Sequence, residues 1–261
     1  AHALREDARR AVARIRALSD AAGGIEALGI AIPRLAEGTI CRWVPNLSYL
    51  DGVDLEALFP GLTIALGNDA QIALLAEAAE GAARGVSDAI LLAIGTGIGS
   101  AVLANGRIVA GAHGGACSFG WACSDIDDAG DARSGWLERV ASGRAFDDLA
   151  GRIGLASGAD LIAAARAGDG AALALLEEPA RRLGTALAGA VGLLDPGVIL
   201  VSGGLADALD MIAPPLLAAM RRQLPPHLRG IELKPGAFGS RAGLIGAALA
   251  GRAGEHWRRI R

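Results

Sequence analysis

The chain is poor in cysteine, in basic runs and in long apolar stretches, and each scarcity narrows what it can be. Cys41, Cys117 and Cys123 are an odd number without metal-ligand spacing, which fits a reduced, cytoplasmic setting. Lys234 is the only lysine; arginine supplies the rest of the positive charge, a bias with no functional reading. No basic stretch is interleaved with aromatics, and 25 Lys and Arg against 28 Asp and Glu leave a net charge of -3. That balance argues against a nucleic-acid partner. No apolar run is long and unbroken enough to span a membrane, and the opening AHALREDARR is not a signal peptide.

What is present is apolar residues, 52% of 261, enough for one large domain or two small ones. Residues 3–19 read as an amphipathic helix with Leu4, Ala8, Val12, Ile15 and Leu18 on one face, ended at 21–24. IEALGIAIP reads as a short strand stopped by Pro33. Residues 34–53 read as loop, 54–59 as a short helix, 62–66 as a strand and 70–83 as a helix. AILLAIG is a strand, 111–135 irregular, and 135–194 mainly helical up to Asp195-Pro196. GVILVSGGLA is a buried strand turning into a helix, IELKPG a last strand and 242–253 a last helix. This alternation makes the class α/β.

LLAIGTGIGS, residues 91–100, looks at first like a dinucleotide loop. The spacing is G-x-G-x-G, however, and SAVLANGRIVAG follows, with Asn105-Gly106 as a hairpin signal. A strand therefore follows the glycines where a dinucleotide fold needs a helix, which excludes a nicotinamide dehydrogenase. A tight glycine turn can instead bring backbone N–H groups close to an anion. Gly67-Asn68-Asp69 lies where a strand gives way to a helix, and VSGGLA is a second strand-to-glycine turn. Ligands of open α/β sheets bind at such carboxyl ends of strands. An anion-cradling turn, a carboxylate and a second glycine turn are what phosphoryl transfer requires. Taken alone, Asn68 and Asp69 read first as helix caps.

Six stretches in this order and spacing, VPNL, GNDAQIALLAE, LLAIGTGIGSAVLANGRIVAGAHGGA, GWLERVASG, LLDPGVILVSGGLA and AGLIGAALAG, resemble the ROK family of sugar kinases over nearly the whole chain. The resemblance implies an actin-like ATPase (ribonuclease H-like) α/β fold, two lobes around a cleft. The small lobe would hold 1–67 with the C-terminal 242–261, the large lobe 68–241. It makes Asp69 the catalytic base, and Asn46, Asn68 and Glu138 sugar contacts. It makes Gly95, Thr96, Gly97 and Gly99 a phosphate loop, and Gly203 and Gly204 the turn against the adenosine. ATP and Mg2+ are the implied cofactors.

The chain also departs from the family pattern. The family's opening Asp-x-Gly-Gly-Thr loop is not found, so the N-terminal strands of the small lobe are expected to be missing; Asp20 with Gly23-Gly24 reads as a helix end. The family's zinc positions hold Trp121, Ala129, Asp131 and Trp136, so no structural zinc is expected. In CSFGW, Ser118 stands for a sugar-binding glutamate and Trp121 for a histidine, giving a less charged pocket. Arg34 stands near the sugar where glycine is usual. These changes suit a kinase for a modified sugar or a cyclitol. The other reading is a non-catalytic sugar sensor or regulator, although a single N-terminal helix is no DNA-binding helix-turn-helix. The expected partner is a small sugar or cyclitol, with no nucleic acid and no membrane; a homodimer is left open.

Overall fold

A computed structural model describes residues 2–21 and 24–260, without the side chains of 2–9, 11, 19, 45 and 46. The elements in order are α1 (His2–Ala21), β1 (Ala27–Ile32), β2 (Leu35–Glu37), β3 (Ile40–Trp43), α2 (Leu55–Leu58), β4 (Thr63–Asn68), α3 (Asp69–Glu80), β5 (Ala89–Ile94), β6 (Ile98–Ala104) and β7 (Arg107–Ile108). There follow α4 (Trp136–Ala141), α5 (Gly143–Arg152), α6 (Gly158–Arg166), α7 (Gly170–Leu194), β8 (Val198–Ser202), α8 (Leu209–Gln223), β9 (Leu233–Pro235) and α9 (Ala242–Ala253). Two residues of the expected helix end at 21–24, residues 22 and 23, lie outside the described residues.

The apolar runs AILLAI and VILVS lie side by side as the parallel strands β5 and β8, at the centre of a sheet ordered β7-β6-β5-β8-β9. β6 pairs antiparallel with both β5 and β7, and β9 pairs parallel with β8. Both faces of the central pair are covered, which is why these strands read as continuous apolar runs. Ile90, Leu92, Ile94, Ile199 and Val201 face a core shared with α4 to α8. Leu91, Val198 and Leu200 face the opposite core, shared with α3 and α9. A second parallel pair, β1–β4, runs in register from Ala27 opposite Thr63 to Ile32 opposite Asn68. The Asn105-Gly106 turn has positive φ at both residues, 50° and 68°, as a two-residue hairpin demands.

Residues 34–53 are more ordered than their sequence suggests. β2 and β3 pair antiparallel, and a 3-10 turn covers Pro45–Leu50. Strands of three and four residues are too short for alternation to show. In α1, Val12 and Ile15 pack on the small core around Ile32, Val44 and Leu66, whereas Leu18 is 61% exposed. Among the described residues no helix is long and apolar enough to cross a membrane.

α9 wedges between β1 and α3 at backbone distance. A Cβ on Gly29 would stand 1.7 Å from the Ala247 carbonyl oxygen, and one on Gly246 would stand 1.8 Å from that of Ile72. Gly246→Ala gains helix propensity, about 0.5–1 kcal/mol, but must force two backbones apart, and overpacking costs roughly 1–3 kcal/mol. The clash wins, so the melting temperature should fall. Gly189→Ala in α7, where an added Cβ meets nothing within 4 Å, should raise it or leave it unchanged. Thermal unfolding of both variants checks the contrast.

Candidate active site

β4 ends at Asn68, whose Oδ1 accepts the Ala70 N–H at 3.0 Å and so caps α3. Its Nδ2 donates to the Arg34 carbonyl at 2.8 Å, tying the helix start to the turn between β1 and β2. Directly before it, Gly67 leaves room for the Trp257 ring, which a Cβ there would meet at 2.7 Å. Asp69 is the first residue of α3, and its Oδ1 also accepts the Ala70 N–H, at 2.8 Å. Its carboxylate remains open to solvent, but the surrounding walls strip much of its hydration. That loss pushes its pKa above the ordinary carboxylate value, against the Ala70 amide and the Arg34 charge, which pull it down.

The glycine turn between β5 and β6 closes on itself, with the Gly95 N–H donating to the Gly97 carbonyl at 3.0 Å. The Gly143 N–H donates to the Gly95 carbonyl at 2.7 Å, seating the start of α5 on the turn. The amides of Thr96 and Gly97 make no hydrogen bond among the described residues. A Cβ on Gly97 would stand 2.5 Å from a carboxylate oxygen of Glu138, so a side chain there would push Glu138 aside. Gly203, at φ 79°, turns the chain after β8 against the Ile94 carbonyl, 2.5 Å from where a Cβ would stand. Gly204 opens the following 3-10 turn.

A cleft of about 1020 Å³ brings Asn68 and Asp69, Gly95 to Gly99, Ser118 and Trp121, Glu138 and Gly203 onto one surface. Gly204 stands one residue outside this lining. Asn46 lies in the 3-10 turn after β3; its side chain lies outside the described residues. Ser118 Oγ donates to the Gly115 carbonyl at 3.0 Å. Trp121 is 36% exposed on the cleft wall, whereas Trp136 is buried in the core. Glu138 is buried rather than solvated, with both carboxylate oxygens 3.2 Å from Nη2 of Arg34. Trp43, Arg133 and Arg144 also line the cleft. Sequence reasoning passed them over because Trp43 lay in an expected loop and the two arginines belong to no motif read from the chain.

The positions compared with a zinc site do not fit one. Asp131 accepts the amides of Arg133 and Ser134 at 2.6 and 3.0 Å, the main reason its pKa is lowered. Asp128 pairs with Arg139 at 2.6 Å. No group of three or more His, Cys, Asp or Glu among the described residues could hold a metal.

Strand ends from two sheets open on one cleft, a carboxylate after β4 and glycine turns after β5 and β8, and the solved structures on which the chain superimposes are ROK sugar kinases of the actin-like ATPase fold. Residues 5–252 match the ROK family, and the chain belongs to it. It is 30% identical over 265 residues to kanosamine kinase of Amycolatopsis mediterranei, covering 96% of this chain and 85% of that one. It is 30% identical over 206 residues to a glucokinase of Halalkalibacterium halodurans, covering 71% of this chain and 62% of that protein's length. A ROK glucokinase from Streptomyces griseus, solved in complex with glucose and AMPPNP, superimposes with a TM-score of 0.76 at 28% identity, over 93% of this chain and 88% of that one.

The raised pKa of Asp69 has a definite sign for stability. A carboxyl that holds its proton more tightly folded than unfolded destabilises the fold increasingly as pH rises from its ordinary pKa through the raised one. Above the raised pKa that cost is fully present. Asp69→Asn should therefore melt at or above the wild-type temperature at pH 7, with the difference shrinking below about pH 4; calorimetry at both pH values checks it.

Proposed function

We propose that this chain forms the catalytic cleft of an ATP-dependent kinase that phosphorylates a hydroxyl of a sugar or cyclitol. The observation that carries the reading is the single cleft shared by the Asp69 carboxylate and the turns at Gly95–Gly99 and Gly203. A hydroxyl is a poor nucleophile until its proton has an acceptor, and a carboxylate recessed at a strand end is placed to take it. A base whose pKa is raised holds that proton better than an ordinary aspartate.

The two sides of the cleft divide the work. Asn68, Ser118, Trp121 and Glu138, with Asn46 beyond them, are the sugar side. Gly95, Thr96, Gly97 and Gly99, with Gly203 and Gly204, are the nucleotide side. Unpartnered amides at Thr96 and Gly97 and the bare backbone at Gly203 fit an anionic, closely approaching group such as a nucleotide's phosphates. ATP with Mg2+, when bound, supplies the phosphoryl group. The residues of this chain orient the hydroxyl, accept its proton at the Asp69 carboxylate and stabilise negative charge through backbone N–H groups. The reading includes no structural zinc, a cytoplasmic setting, two lobes made of 1–67 with 242–261 and of 68–241, and no role for nucleic acid or membrane.

The relatives named for glucose and for kanosamine support a sugar as the substrate class. Ser118 and Trp121 offer a hydroxyl and an indole to the ring in place of charged groups. Glucose should accordingly be a poor substrate, with kcat/KM well below that of the best modified sugar or cyclitol in a screen for ADP release. Equal turnover of glucose would contradict this pocket reading.

The decisive test is Asp69→Asn, assayed in a protein that includes any residues native to its N-terminal side. Turnover should fall by roughly 10²–10⁴-fold, with folding and nucleotide binding nearly intact. A helix cap would be served as well by asparagine. Near-normal turnover would overturn the catalytic role of Asp69, and no turnover on any sugar by the wild type would favour a sugar sensor.

A further inference from the structure

Arg34 lines the cleft from a backbone conformation, φ 71°, that L side chains rarely adopt and glycine adopts freely. Three elements hold it there. The Asn68 amide donates to its carbonyl at 2.8 Å. The Trp43 ring lies beneath its guanidinium, 5.6 Å from the centroid. Nη2 sits 3.2 Å from both oxygens of Glu138 on α4. Strain fixed from three directions at a cleft points to use.

The pairing changes what the cleft offers a ligand. Glu138 is buried, and an unpaired buried carboxylate would draw a cation to itself. Here each of its oxygens already accepts from Arg34. Nε and Nη1 of Arg34 donate to no group among the described residues. The groups facing this end are therefore guanidinium N–H donors, the Ser118 hydroxyl and the Trp121 indole. The other charges on the lining are Asp69, Asp131, Arg133 and Arg144.

We propose that Arg34 is a specificity-determining residue: by occupying Glu138 and presenting its own free N–H groups, it makes the cleft select hydroxyl- and acyl-bearing rings and reject rings bearing an ammonium group. This rests on the sugar-site reading above. An ammonium brought here meets a like charge and a carboxylate already satisfied, and like-charge juxtaposition is how sites reject near-isosteric ligands. Acyl carbonyls and hydroxyl oxygens, as acceptors, match the free donors.

The test is calorimetric binding of glucosamine and kanosamine, each against its N-acetyl form, at about pH 6, where the amines are protonated. Wild type should bind the N-acetyl forms at least about tenfold more tightly. Arg34→Gly relieves φ 71° but leaves Glu138 buried without its partner, so its melting temperature is measured alongside binding. In this variant the preference should move by about tenfold or more toward the ammonium sugars. Arg34→Gln, which keeps a stem over Trp43 without the charge, should move it in the same direction. A preference for the ammonium forms in wild type, or an unchanged ratio in both variants, would overturn the proposal while leaving the kinase reading standing. Failure of all four sugars to bind any of the proteins, with no turnover on other sugars, would remove the sugar site and this proposal with it.

Discussion

The burial of α3 on every side is the constraint on which the site depends. Every residue from Ala70 to Ala78 is buried, including Gln71 and Glu77. A helix apolar all round cannot face water and so must be enclosed; one side lies on the five-stranded sheet and the other against α9. Both ends are fastened by polar groups. Asn68 joins the first turn to the Arg34 backbone, and the Glu77 carboxylate accepts N–H groups from Ala82, Ala237 and Phe238. An element with neither a free face nor a free end holds its first side chain, Asp69, in one place. The proposed role of Asp69 as base needs this, because an error of about 1 Å in a reacting group is costly.

The same enclosure explains why glycines cluster around the cleft for different reasons. Gly67 yields to Trp257, Gly97 to the Glu138 carboxylate, and Gly246 to the backbone of α3. Gly203 alone of these combines a positive φ with a carbonyl at contact distance. At Thr96 and Gly97 the turn leaves amide donors without a partner among the described residues. A glycine-rich sequence thus mixes packing sites with ligand sites, and spacing alone does not separate them.

That mixture marks the limit of what was legible in the chain. β5, β8 and α9 were readable because long apolar runs and strong stop signals, such as Asp195-Pro196, leave few alternatives; Asp195 does end α7, at φ 46°. The glycine hairpin was readable because Asn105-Gly106 has one geometry that fits it. β2 and β3 were not, since pairing between segments of three and four residues is decided by tertiary contact. Asn68 was readable as a cap, and it is one; its second bond, to the Arg34 carbonyl, joins residues 34 apart and leaves no local trace. Glu138 read as readily as a surface helix residue, because its partner lies 104 residues away.

Arg34 shows how such distant couplings combine. Its guanidinium balances Glu138 and draws down the pKa of Asp69, while burial drives that pKa up. Without a cation between them, two carboxylates in one cleft would each make ionisation of the other harder. With it, that mutual repulsion is offset, and burial is left as the main influence raising the pKa of Asp69. The left-handed backbone at Arg34 is the geometric cost of putting that cation where neither β1 nor β4 could carry it. Both strands end in the cleft, but their last residues, Ile32 and Asn68, are committed to the small core and to the cap of α3. The turn that follows β1 is therefore the place from which a long side chain reaches Glu138 while its own carbonyl steadies the helix that bears Asp69.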